Sequence, residues 1–188
     1  MNSLEAVLAD AQRLGMLGDR PIAEVIEHAR AFVRALPLAV QSVIDLGSGG
    51  GVPGLVVAVE RPESLVTLVD RRQRRTDFLE RAVRRLGLGE RCQVWCCDVE
   101  EVVRRLDRSE SGLSRWDAVI SRGFGPPRLT ASLARRLVRP SGVIVISEPP
   151  SERTDRWPPE LLSQLGLERV TGGPGSVVVL TPSPRLSR

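Results

Sequence analysis

Two acids and a burst of glycines carry the chemistry that is easiest to read in this sequence. Asp45 closes the short β-branched run Val43-Ile44 and is followed by Leu46-Gly47-Ser48-Gly49-Gly50-Gly51-Val52-Pro53-Gly54. Asp70 ends a second apolar run, Leu65–Val69, 25 residues after Asp45. Glycines at 47, 49 and 51 allow positive φ and let a ligand lie against bare backbone, so the stretch reads as a buried strand, a tight turn and a helix starting near Leu55. Such a turn holds a cofactor at the carboxyl edge of a sheet.

Charge and spacing bear on which cofactor. Gly49, Gly51 and Gly54 fit a dinucleotide fingerprint, but there the first glycine follows the strand directly and the helix start faces a pyrophosphate. Here a carboxylate stands two residues before Gly47. It would repel a diphosphate and suits a ligand with an ammonium group, as the methionyl end of S-adenosylmethionine has. Asp70 stands where an acid holds a nucleotide ribose in sheets of this kind.

The residue inventory removes several chemistries. All 27 basic residues are Arg, so Schiff-base chemistry and a P-loop lysine are excluded. His28 is the only histidine, reads as an ordinary residue of an amphipathic helix, and leaves Ser-His-Asp and histidine-metal designs without partners. Cys92, Cys96 and Cys97 surround one expected strand, where neighbours point to opposite faces, so they read as reduced thiols rather than metal ligands. No metal is expected. The net charge of +4 and pI near 10.0 lean towards a polyanionic partner. The amino terminus lacks a leader pattern and no apolar run approaches about 18 residues, so a soluble, cytoplasmic protein is expected, and a monomer is the expected state.

The elements that must position these groups follow from periodicity. Two helical stripes, Leu4 to Leu14 and Ile22 to Leu36, precede the glycine turn and form an expected helical extension over residues 1–38. After Asp70, the helix Arg71 to Leu86 buries Phe78, Leu79, Ala82 and Val83 and carries seven Arg on its other faces. If RNA binds, Arg71, Arg74 and Arg75, next to the glycine turn, are the expected contacts. Further strands are expected at Val94–Cys97, Trp116–Ser121 and Val143–Ser147, the last after a turn at Arg139-Pro140-Ser141-Gly142. A closing hairpin pairs Leu167–Val170 with Val177–Leu180, and residues 183–188 read as a disordered tail. Five alternating β/α units with this ending predict a doubly wound, seven-stranded α/β sheet over residues 39–182, the Rossmann-like layout of a class I methyltransferase.

Four stretches together resemble a known family. They are Asp45-Leu-Gly-Ser-Gly-x-Gly-x-Pro-Gly54, Asp70-x-x-x-Arg74-Arg75-x-x-Phe78-Leu79, Val99-Glu100-Glu101 and Ser121-Arg122-Gly123-Phe124. Over residues 43–147 the chain is similar to the bacterial small-subunit ribosomal RNA guanine-N7 methyltransferases, the GidB-like family. The resemblance implies methyl transfer from S-adenosylmethionine to N7 of one guanine in 16S ribosomal RNA, with that RNA or the small subunit as partner. It also implies that Gly47 and Val52 line the cofactor loop, that Val99 and Glu100 hold the adenine region, and that Arg122 sits at the reacting end. Asp45, Gly49 and Asp70 complete the expected cofactor set, and Arg122 is expected to orient the guanine, mainly at O6, or the cofactor carboxylate. The chain departs from the family at Ser147-Glu148-Pro149, where Lys-Gly is usual, at Gly123, where Ala is usual, and in a short amino-terminal region. Alternatives that the residues leave open are a small-molecule methyltransferase, a non-catalytic S-adenosylmethionine-binding relative and a nicotinamide oxidoreductase.

Overall fold

The computed structural model describes residues 3–110, 112–149 and 155–184. Runs such as Val43-Ile44 and Val119-Ile120 are apolar at successive positions, and a strand of that kind must be covered on both faces. Val43 packs into one layer of the core and its neighbours Ile44 and Leu46 into the other. The strands β1 (Ser42–Leu46), β2 (Leu65–Asp70), β3 (Cys92–Cys96), β4 (Trp116–Ser121), β5 (Val138–Ser147), β6 (Leu167–Val170) and β7 (Val177–Pro182) form one sheet, ordered β3-β2-β1-β4-β5-β7-β6. Pairings among the first five are parallel, and β7 runs antiparallel to both β5 and β6. The order reverses between β1 and β4, and the crevice beyond their carboxyl ends is where sheets of this kind bind ligands.

The helices divide between the two faces. On one side α1 (Leu4–Arg13), α2 (Ile22–Ala35), α3 (Gly54–Glu60) and α4 (Gln73–Arg85) bury Val7, Phe32, Leu55 and Phe78 against the sheet. On the other, α5 (Val99–Asp107), α6 (Pro127–Leu137) and α7 (Pro159–Leu165) bury Val102, Leu137 and Leu162. A smaller cluster, with Leu8, Val25, Ile26, Val52 and Val56, joins the first two helices to α3. Ser3 starts α1 as an N-cap, its Oγ accepting from Ala6 N at 3.2 Å.

One boundary differs from the sequence expectation. Arg139–Gly142 belongs to β5 instead of forming a turn, and the register against β4 jumps from Trp116↔Val138 to Ala118↔Val143. Two contacts hold this segment extended. Arg139 donates Nε to Arg115 O at 2.9 Å, and a Cβ at Gly142 would lie 2.5 Å from Asp117 O, so only glycine lets the strands approach this closely. At the other end Ser183 N donates to Gly166 O at 2.9 Å, while residues 185–188 of the expected tail lie outside the described residues. Among the described residues no helix is long and apolar enough to cross a membrane, and no group of three or more His, Cys, Asp or Glu could hold a metal ion.

Candidate functional site

The glycine turn is stitched to the sheet before any ligand arrives. Ser48, buried at the turn, donates Oγ to Asp45 O at 3.0 Å and accepts from Val69 N at 3.0 Å, and its own N–H donates to Val69 O at 2.9 Å. Asp70 fixes the next residue, since its Oδ2 accepts from Gly49 N at 3.0 Å and from the Arg75 guanidinium at 3.2 Å. Its Oδ1 accepts from Arg72 N at 2.9 Å at the start of α4. Below the turn, Asp45 Oδ2 accepts from Gly54 N at 3.2 Å. Gly54 must lack a side chain there, because its Cβ would come within 2.5 Å of that oxygen. Asp45 Oδ1 is the one buried side-chain polar atom without a hydrogen-bond partner among the described residues. Burial raises the Asp45 carboxyl from 3.8 to about 7, against the lowering effects of Ser48, the Gly54 N–H and Arg122.

Two cavities open at this edge and adjoin at Gly123 and Phe124, which line both. The first, of about 360 Å³, lies over the ends of β1, β2 and β3, between Gly47, Asp70, Asp98, Val99 and Glu100. The second, of about 490 Å³, lies over the ends of β4 and β5 and is walled by α2. Gly47, with φ +69°, is bare on the side facing Phe124, whose Cδ2 would lie 2.8 Å from an added Cβ.

The expected site residues divide accordingly. Gly47, Asp70, Val99, Glu100, Arg71 and Arg75 line the first cavity, and Arg122 lines the second. Four others, Arg74 and three of the expected cofactor residues, line neither. Asp45 sits buried under the turn, Gly49 spends its N–H on Asp70, and Val52 packs among Leu8, Val25 and Ile26. α1 and α2 offer the Val52 isopropyl group an apolar site beside the turn. Arg75 is held by an acid. It turns inward onto Asp70, while Arg71 and Arg74 remain exposed.

The second cavity contains side chains that the sequence reading did not assign to a site. Arg20, Glu24 and His28 reach it from the amino-terminal helices, and Glu148 and Arg156 from beyond β5. Burial, then the charges of Arg122 and Arg20, hold His28 below its ordinary value, so it is neutral at neutral pH. Burial lowers Arg122 and the Asp45 charge opposes that effect; a guanidinium in this setting keeps its proton. The available signal for α2 was the polar pair Glu24 and His28, one turn apart beside the apolar Val25 and Ala29.

A family model described as GidB, rRNA small subunit methyltransferase G, matches residues 4–154. The chain belongs to this family. Among its relatives is the Ribosomal RNA small subunit methyltransferase G of Nocardioides sp., 33% identical over 146 residues, which cover 76% of this chain and 54% of the relative. The protein of the same name from Salinispora tropica is 34% identical over 143 residues, or 74% and 58% of the two chains. The chain thus spans about half the length of the curated relatives it matches. Solved structures share the fold at low identity. An O-methyltransferase family protein from Burkholderia thailandensis superposes with TM-score 0.63 at 17% identity, covering 85% of this chain and 57% of that one. Cofactor-bound Rv0187 from MTB gives 0.65 at 16%, covering 95% and 88%. The fold is the Rossmann-like, class I methyltransferase fold, and the two cavities lie at the carboxyl edge of its parallel strands, where sheets of this kind bind ligands.

Proposed function

We propose that this protein is an S-adenosylmethionine-dependent methyltransferase that methylates N7 of a guanine in 16S ribosomal RNA. The observation that carries the reading is the pair of adjoining cavities, one bounded by the glycine turn and an acid-rich, partly apolar wall, the other holding Arg122. The residues present fit the cofactor. Gly47 brings backbone with no side chain of its own to the first cavity, beside the acids Asp98 and Glu100. Gly47, Asp70, Val99 and Glu100 would hold its nucleoside half, and Arg122 the reacting end.

When bound, S-adenosylmethionine supplies an electrophilic methyl group on a sulfonium. Guanine N7 carries a free lone pair, so no residue of the site need remove a proton. That suits a cavity whose histidine is neutral and which has neither Lys nor Tyr. Arg122 can donate to O6 and so orient the base while leaving N7 open. Because the major groove of an A-form helix is deep and narrow, the target base must enter unstacked, and the second cavity has room to receive it. Exposed Arg71 and Arg74, beside the first cavity, supply positive charge for the RNA backbone. This reading places the protein in the cytoplasm, acting as a monomer on the RNA or the small subunit.

The test pairs binding with turnover. Calorimetric titration with S-adenosylhomocysteine should show micromolar or tighter binding. Small subunits from cells lacking the protein should then accept a methyl group at guanine N7, and Arg122→Ala should abolish that transfer while the chain stays folded. Wild-type protein that binds no S-adenosylhomocysteine, or Arg122→Ala with full transfer, would overturn the respective part of the reading.

A further inference from the structure

Glu148 stands at the end of β5 on the wall of the second cavity, across which Arg122 and Phe124 also project. It is not a loosely solvated surface acid. Its backbone N–H donates to Ser176 O at 2.9 Å, and its side chain is 21% exposed. The indole N–H of Trp157 donates to its Oε1 at 2.7 Å, and the Arg156 guanidinium lies 3.7 Å from the same oxygen. Trp157 is itself 1% exposed and belongs to the main core cluster on that face of the sheet. A buried indole therefore fixes one oxygen of a carboxylate that lines the second cavity and a neighbouring one beside Asp155 and Arg169.

An ionised carboxylate only accepts hydrogen bonds, and it offers two oxygens side by side. Among the bases, the Watson–Crick edge of guanine matches that arrangement, because N1–H and the N2 amino group are adjacent donors. Adenine places a lone pair at N1, which a carboxylate repels, and hypoxanthine keeps N1–H but lacks the amino group. Methyl transfer to N7 uses the opposite edge of the base, so a group on the Watson–Crick edge can hold guanine without obstructing the reaction.

We propose that Glu148, oriented by Trp157, is the residue that selects guanine in the acceptor cavity by accepting from its N1–H and N2 amino group. The inference rests on the methyl-transfer reading for its biological meaning, yet it concerns base recognition and can be measured without turnover. Trp157 acts as a positioning residue and Glu148 as the contact. The division of labour with Arg122 is one of edges: the guanidinium addresses O6 and the carboxylate addresses the donors beyond it.

The experiment is a titration of the full chain, in excess S-adenosylhomocysteine to occupy the first cavity, with 5′-GMP, 5′-IMP and 5′-AMP. The indole N–H resonance of Trp157 serves as the reporter, and thermal melting serves as the control for folding. Wild type should bind GMP at least about tenfold more tightly than AMP, with IMP between them, as expected for hydrogen bonds to a charged acceptor. In Glu148→Gln, the indole N–H keeps the amide oxygen, so the amide NH₂ must face the N1–H donor; the three affinities should then fall within about twofold of each other. Trp157→Phe retains the carboxylate without its orienting donor and should reduce the preference for GMP, which gives a second test if the first variant folds poorly. Indistinguishable affinities in wild type, including no measurable binding of any nucleotide, overturn the proposal. So does a preference for GMP that survives Glu148→Gln. If the preference is present and depends on Glu148, while wild type transfers no methyl group to small subunits or their RNA, the proposed reaction falls and the base-recognition site stands.

Discussion

Replacing Gly47 by Ala separates backbone strain from the shape of the site. Gly47 has φ +69° and Gly87, just after α4, has φ +68°, so a Cβ at either position costs about 1–2 kcal/mol for the left-handed backbone. Nothing lies within 4 Å of a Cβ built on Gly87, whereas one on Gly47 would lie 2.8 Å from Phe124 Cδ2. Carbon atoms in contact sit about 3.5–4.0 Å apart, so the Phe124 ring would have to retreat by roughly 0.7 Å or more. That ring lines both cavities, and its displacement reshapes the place where they meet. Both variants should therefore melt a few degrees below wild type, at about 2–4 °C per kcal/mol for a chain of this size. Only Gly47→Ala should also weaken S-adenosylhomocysteine binding, by tenfold or more, equivalent to about 1.4 kcal/mol. Calorimetry on the pair of variants checks this. Wild-type affinity in Gly47→Ala would refute the argument from Phe124, and equal loss in Gly87→Ala would show that general softening, not the local contact, governs binding.

Other perturbations test the remaining contacts. Burial lifts the Asp45 carboxyl from 3.8 to about 7, so between about pH 4 and pH 7 the folded chain keeps a proton there that the unfolded chain has released. Its contribution to stability accordingly falls as pH rises through that window and is level above it; Asp45→Asn should flatten the slope in urea titrations, and an unchanged slope would count against the assignment. Ser48→Ala removes the hydroxyl that joins Asp45 O to Val69 N, and the orphaned buried N–H should cost about 1–3 kcal/mol in the same measurement. Arg75→Ala should weaken S-adenosylhomocysteine binding by loosening Asp70 and, through it, Gly49, with no change in the salt dependence of RNA binding. Arg74→Ala should do the reverse, lowering the salt slope of RNA binding by about 1 and sparing the cofactor, as filter binding at several salt concentrations would show.

The contrast between Arg74 and Arg75 shows where sequence reasoning reached its limit. A parallel sheet brings the carboxyl ends of its strands to one edge, so Asp45, Asp70, Val99 and Arg122 could be placed along that edge from strand order, while the roles expected of Val99 and Arg122 came from the family resemblance. Spacing along a helix cannot say which arginine of an adjacent pair points outward, because that depends on an acid fixed on the strand before it. Asp70 draws Arg75 inward, and the pair together clamp the glycine turn. The wall of the second cavity was illegible for a related reason. Glu24 and His28 border the same apolar stripe that buries Val25 and Ala29, and only the docking of α2 decides whether their edge faces solvent or the ends of β4 and β5. Glu148 was conspicuous in the sequence as an acid where the family carries a cation, but its partner Trp157 lies nine residues on, across a stretch with no periodicity to place it. The cavity proposed for the cofactor is built mainly at strand ends, where position in the chain implies position in space. The cavity proposed for the acceptor is built largely from a helix edge and a loop brought together by packing, and there the residue types acquire meaning only after the core has formed.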